Sequence, residues 1–183
     1  MTLVDELSGI AASAAARAEP GEELSGILAA EPLSGQRVYL CAFESGDGRS
    51  WIALDADGRP LDDGGLVREA ASIAALCEFA AEVAGGGRLE ELRSQLLELR
   101  LTENPSGIDE AEEAALALER TIGAPPRVAT PALLDEIGAA TRRLELTLGG
   151  ESPSPFAEAM KGTVAAVDAL VGEIERGYKG QLR

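Results

Sequence analysis

Residues 38–43 alternate along an extended chain without producing a polar side. Val38, Leu40 and Ala42 fall on one face, and Tyr39, Cys41 and Phe43 fall on the other. A strand that is apolar on both faces has to be dry on both faces. An isolated two-stranded ribbon is marginal in water. This run therefore obliges the rest of the chain to supply cover from two directions.

Its immediate context reads as a hairpin followed by a helix. Arg37 to Glu44 is rich in β-branched and aromatic residues, and Ser45-Gly46-Asp47-Gly48 makes a turn. Ser50 to Leu54 forms a second run, closed by Asp55-Ala56-Asp57-Gly58. Two apolar runs around a glycine-containing turn predict an antiparallel hairpin over residues 37–55. Asp63 to Ala84 then reads as a helix, with Asp63 as N-cap and Gly85-Gly86-Gly87 as its stop. This stretch holds Tyr39, Phe43, Trp51 and Phe79, four of the six aromatic residues of the chain, and both cysteines. The densest part of the core is expected here.

The remainder leans towards helix, because its apolar residues are mostly Ala and Leu, both strong helix formers. Leu3 to Ala18 and Glu22 to Ala30 read as two N-terminal helices, each ended by a Glu-Pro pair. They share an echo, Glu6-Leu7-Ser8-Gly9-Ile10 and Glu23-Leu24-Ser25-Gly26-Ile27, with no third copy to make a repeat array. Arg88 to Leu101 carries Leu89, Leu92, Leu96 and Leu99 in heptad-like spacing, with Leu97 and Leu101 beside them. Ile108 to Ile122 places Ala111, Ala115, Leu118 and Ile122 on one face, opposite the acidic Asp109, Glu110, Glu112 and Glu113. Gly123-Ala124-Pro125-Pro126 reads as a linker, and Thr130-Pro131 opens another helix. From Ser154-Pro155, a last helix steps through Phe156, Met160, Val164, Val167, Val171, Ile174 and Tyr178. That stripe would run about 36 Å if unbroken.

The expected fold is thus mainly α (α+β): a bundle of about six to seven helices, with one antiparallel β-hairpin (residues 37–55) inserted after two N-terminal helices. At 183 residues the chain reads as one domain. Its parts would be N-terminal helices (1–36), hairpin and central helix (37–87), a helix pair (88–123) and a C-terminal helical hairpin (124–183).

Composition excludes much chemistry. The chain has no histidine, which removes Ser-His-Asp and Cys-His nucleophile systems and His-ligated metals. Cys41 and Cys77 cannot build a four-cysteine site, and their apolar contexts suit buried thiols. Trp51 occupies the third-glycine position of a would-be Gly46-x-Gly48 dinucleotide fingerprint. A calcium loop aligned on Gly58 would place Ala53 first and Gly64 twelfth, so two oxygen ligands are missing. Glu78 and Glu82 lie one turn apart and could titrate abnormally if buried, though glutamates at that spacing ordinarily line a wet helix face. No cofactor or metal is expected.

The net charge of −16 repels phosphates, so neither nucleic acid nor an anionic membrane is an expected partner. The longest uncharged run, Leu7 to Ala16, is too short to span a bilayer, and the acidic start is unlike a leader; the expected compartment is cytoplasmic. The functional expectation is a non-catalytic module acting through protein association, as a homo-oligomer or as an adaptor or regulatory subunit. The alternative is a small-molecule-binding protein or minor enzyme, with its pocket between hairpin and central helix. Candidate contact residues are Tyr39, Arg49, Trp51, Arg59, Cys77, Glu78 and Glu82, chosen because Trp and Arg dominate binding hot spots and because the others flank the expected pocket.

Overall fold

The computed structural model describes residues 2–85, 87–122, 126–148 and 155–182. Its elements in chain order are α1 (Leu3–Ala15), β1 (Glu23–Ala30), β2 (Val38–Ser45), β3 (Gly48–Leu54), α2 (Gly64–Ala84), α3 (Arg88–Thr102), α4 (Ile108–Ile122), β4 (Val128–Ala129), α5 (Pro131–Leu148), α6 (Pro155–Met160) and α7 (Thr163–Gly177). The expected helical bundle with a lone hairpin is overturned. The fold is α+β, with a four-stranded mixed sheet ordered β3-β2-β1-β4. The hairpin β2–β3 is joined by β1 antiparallel to β2, and by β4 parallel to β1.

The main correction is at 23–30, expected as a second N-terminal helix and found as β1. Leu24, Ile27 and Leu28 have helical spacing, which is why the stretch reads as helix. In the strand, however, Leu24 pairs with Phe43 and Gly26 with Ala42, leaving Ser25 bulged out of register. A bulge inserts one residue and shifts the side-chain alternation. Leu24, Ile27 and Ala29 thereby come to one face, packed with Tyr39, Cys41, Phe43, Ile52 and Leu54 against Ile10 and Ala14 of α1. The outer edge of β2 gains a partner, and an exposed strand edge is avoided.

The chain divides into two packed units. The first comprises residues 1–75, 126–131 and 165–183. Here α1 covers one face of the sheet, opened by a capping box in which Thr2 and Asp5 satisfy each other's backbone groups. Val38, Leu40, Ala42, Trp51 and Ala53 on the other face are equally buried. At that face Trp51 Nε1 donates to Glu173 of α7 at 3.3 Å. Gly177 ends α7 so close to β3 that a Cβ there would lie 2.7 Å from the Arg49 carbonyl oxygen. The residues after α7 continue along the outer edge of β3, where Tyr178 bridges Trp51 in parallel and the Lys179 amide donates to the Trp51 carbonyl at 2.9 Å.

The second unit comprises residues 76–125 and 132–164 and is helical. Ala80, Val83 and Ala84 of α2 pack with Leu92 and Leu96 of α3, with Ile108, Ala111, Ala115, Leu118 and Ile122 of α4, and with Ile137 and Leu144 of α5. The single C-terminal helix expected from the periodic stripe is broken into α6 and α7 by Lys161-Gly162. A Cβ at Gly162 would lie 2.9 Å from the Phe79 ring, so glycine, a poor helix former, is needed at the break. Val164, one of the stripe residues, is 72% exposed. Of the linker expected at Gly123 to Pro126, residues 123–125 lie outside the described residues, as do Ser154 and the Phe156 side chain.

Candidate functional site

Six leucines in the fifteen residues of α3 are more than one packing seam can bury. Leu92 and Leu96 enter the core, with Leu89 and Leu99 half-buried beside them. Leu97 and Leu101, one turn apart and roughly 100–180° around the helix from Leu92 and Leu96, stay 55% and 77% exposed. On α4, Ala111, Ala115 and Leu118 face inward while Leu116 remains 37% exposed. Leu97 and Leu116 line a groove of ≈ 520 Å³, with Leu96 and Ala115 as its floor and Glu90, Arg93, Ser94 and Glu112 around it. The asymmetry is positional: a helix in a two-layer packing has one apolar stripe, and α3 has a second.

The groove has ion pairs at both ends. Arg93 reaches Glu119 at 3.3 Å. Arg100 reaches Glu112 at 2.8 Å and also pairs with Asp109. The Glu112 and Asp109 carboxylates, in that order, hold the Arg100 guanidinium more firmly protonated than usual. The short turn between Thr102 and Ile108 and a shared core hold the two helices antiparallel, and these part-exposed pairs add little to that. At the turn, Asn104 adopts a positive φ of 43° and its amide caps α3 at the Leu99 carbonyl, a conformation Asn tolerates better than most residues.

The residues singled out from sequence fall in both units. Arg49 and Trp51 converge on one atom, since Glu173 Oε1 accepts from Arg49 Nη1 and Trp51 Nε1, each at 3.3 Å. Trp51 is only 3% exposed, so it is part of the core packing at β3. Arg59 is exposed and pairs with Asp57 at 3.4 Å in the turn after β3. In that turn Asp55 Oδ1 accepts from the Asp57 and Arg59 amides at 2.9 and 2.8 Å, so its carboxylate closes the turn. Tyr39 is fully buried, and its hydroxyl has no hydrogen-bond partner among the described residues. Burial, with the Glu6 carboxylate next, pushes its phenol up to about 12. In the other unit, Cys77 is buried, while Glu78 and Glu82 are exposed.

These placements limit the chemistry available. Burial pushes the Cys41 thiol up to about 12, so it is protonated and unreactive at neutral pH. No group of three or more His, Cys, Asp or Glu side chains suited to a metal ion occurs among the described residues. No helix among them is long and apolar enough to cross a membrane. A second, smaller apolar cavity of ≈ 290 Å³ lies against α5, bounded by Leu76, Ala80, Leu134, Ile137, Gly138, Thr141 and Met160. Its one hydroxyl, on Thr141, donates to the Ile137 carbonyl at 2.8 Å.

Sequence reasoning noticed Leu97 and Leu101 but assigned them no role, and it missed Leu116. The available signal was the surplus of leucine on α3 beyond its heptad positions. No protein-family model, curated protein or solved structure matches this chain.

Proposed function

We propose that this chain is a non-catalytic protein-binding module that engages another protein through the groove between α3 and α4. One observation carries the reading: Leu97 and Leu116 stand exposed together on a concave groove, with Leu101 one turn beyond Leu97, whereas exposed Val4, Leu33, Leu146 and Val164 line no such groove. Single exposed leucines are ordinary on protein surfaces, but leucines grouped around a concave site mark an interaction surface. The two helices pack on a shared core and form the groove without an occupant, which lowers the ordering cost of binding. The reading places the module in the cytoplasm, where buried thiols remain reduced. It excludes nucleic acid as partner because the charge of −16 repels phosphate.

Photo-crosslinking in the native host tests this. A photoreactive residue at position 97 or 116 should give one discrete protein adduct, and the same residue at exposed Leu146 should not. Adducts that are absent from both groove positions, or indistinguishable from those at 146, reject the reading.

A second reading is favoured by the apolar cavity beside Ile137 and Met160, whose size approaches that of small-ligand pockets. In that reading it takes an uncharged apolar molecule. Thermal-shift screening of neutral hydrocarbons against the wild type and Gly138→Leu separates the two. A shift confined to the wild type supports the ligand, and no shift in either rejects it.

A further inference from the structure

The charges around the groove specify what it can hold. Between Arg88 and Ile122 nine carboxylates stand against four arginines, a net charge of −5 on the two helices and the turn that joins them. On the groove side Arg93 and Arg100 are already engaged with Glu119, Glu112 and Asp109, while exposed Arg120 follows Leu116 by one turn of α4. Helical winding puts exposed Glu91 and Glu98 along the outer flank of α3, and exposed Glu113 along the outer flank of α4. Glu90 lines the groove itself. Among the described residues, none of these four glutamates has an ion-pair partner. The result is an apolar floor with carboxylates at Glu90, Glu91 and Glu98 on the α3 side and at Glu113 on the α4 side.

We propose that the occupant is a cationic amphipathic helix of a partner protein, its apolar face seated on Leu97 and Leu116 and its lysines or arginines over the flanking carboxylates. This rests on the reading of the α3–α4 groove as a docking surface and goes further by naming the partner's chemistry. A helix laid into a groove is a recurring recognition mode, anchored by apolar residues three and four apart. Charge complementarity sets which helix is admitted and how fast it arrives. A second copy of this chain would bring the same acidic helix pair against itself, which that complementarity opposes.

The test uses two synthetic peptides of about 18 residues, roughly 27 Å as helix. They carry one identical leucine face, with lysine and arginine on the polar face of one and glutamate on the other. Fluorescence anisotropy against the full chain should give the cationic peptide a Kd at least about tenfold lower than the anionic one, with the preference shrinking as salt rises. Leu97→Ser with Leu116→Ser should abolish binding, and Glu90→Gln with Glu113→Gln should reduce only the charge preference. Circular dichroism melts confirm that each variant is folded.

Equal binding of the two peptides, or stronger binding of the anionic one, overturns the proposed chemistry and leaves the groove standing as a docking surface. Undiminished binding of the cationic peptide to the double serine variant shows attraction by charge alone and overturns it as well. If light scattering finds a dimer that the serine variant loses, the occupant is a second copy and the proposal is wrong. If neither peptide binds while positions 97 and 116 still crosslink a protein, the partner's chemistry is misassigned. If crosslinking fails too, the groove reading falls with it.

Discussion

The sheet-bearing unit and the helical unit close their surfaces in opposite ways. In the first, α1 covers one sheet face, the other is equally buried, and residues 178–179 run along the outer edge of β3. Its charged groups are knitted in. Arg37 joins Glu6 and Glu31, Arg49 joins Glu44 and Glu173, and Lys179 pairs with Glu22 while sitting 4.3 Å over the Phe43 ring. The first unit's exposed large apolar side chains, Val4 and Leu33, lie off the sheet, whereas the helical unit packs a comparable apolar core and leaves Leu97, Leu101, Leu146 and Val164 mostly in water, with Leu116 part-exposed. A sheet whose two faces and edge are covered has little left to offer a partner. A helix pair with a surplus stripe offers a great deal, and its exposed leucines contribute almost nothing to its own folding. On the proposed docking reading, stability and recognition are assigned to different residues.

That division can be broken first at Trp51, where the effect should be largest. Trp51→Ala removes a side chain that is 3% exposed and one of the two donors to Glu173 Oε1, leaving Arg49 as the other. The expected cost is about 3–5 kcal/mol, read as a lower midpoint in urea unfolding followed by circular dichroism. A loss below about 1 kcal/mol would mean the β3 face is not tightly packed. Next comes Gly177→Ala, whose new methyl would meet the Arg49 carbonyl oxygen at 2.7 Å. Overpacking of this kind costs about 1–3 kcal/mol. An unchanged midpoint would show that the end of α7 can lift from β3 freely.

One five-residue string shows how much of this was legible in advance. Glu-Leu-Ser-Gly-Ile occurs as residues 6–10 inside α1 and again as residues 23–27 inside β1. In both places its Leu and Ile pack into the same cluster. In α1 the three-residue spacing shares a face through helical winding; in β1 it does so through the bulge at Ser25. Local pattern therefore could not distinguish the two, and the need of β2 for a neighbour decided. The hairpin, the Asp63 cap and α4 were readable, because each is set by near-neighbours: Asp63 Oδ1 accepts from the Leu66 amide at 3.0 Å. Two-residue β4 was not readable, since its place depends on a partner strand about a hundred residues away. The groove was half-visible in the extra leucines of α3, but the exposure of Leu116 depends on how α3 and α4 pair.

A smaller effect concerns the pairing of Glu22 with Lys179. The Lys179 ammonium, then the Ser50 hydroxyl at 2.6 Å and the Glu19 amide at 2.7 Å, hold the Glu22 carboxylate at about 2, well below its ordinary 4.5. A lowered pKa contributes stability that is complete above the ordinary value and lost as pH falls towards the lowered one. Wild-type stability should therefore keep falling from about pH 4.5 down to about 2. In Glu22→Gln this part of the acid limb should be flatter, because that proton uptake is gone. Parallel acid limbs in the two proteins would mean that the pair does not hold residues 178–179 in place.

The smallest expected change in stability is the one that most sharpens the contrast between the units. Leu97→Ser removes a side chain that is 55% exposed, so unfolding free energy should move by no more than about 0.5 kcal/mol, and Leu116→Ser, at 37% exposure, by somewhat more. At a buried position the equivalent truncation costs several times as much, and Leu96→Ala, one residue along α3, supplies that control at 1% exposure. Adjacent leucines on one helix would then differ severalfold in stability and, in crosslinking, differ in the opposite sense. If Leu97→Ser instead destabilises as strongly as Leu96→Ala, Leu97 belongs to the core and the helical unit has no surplus stripe to offer.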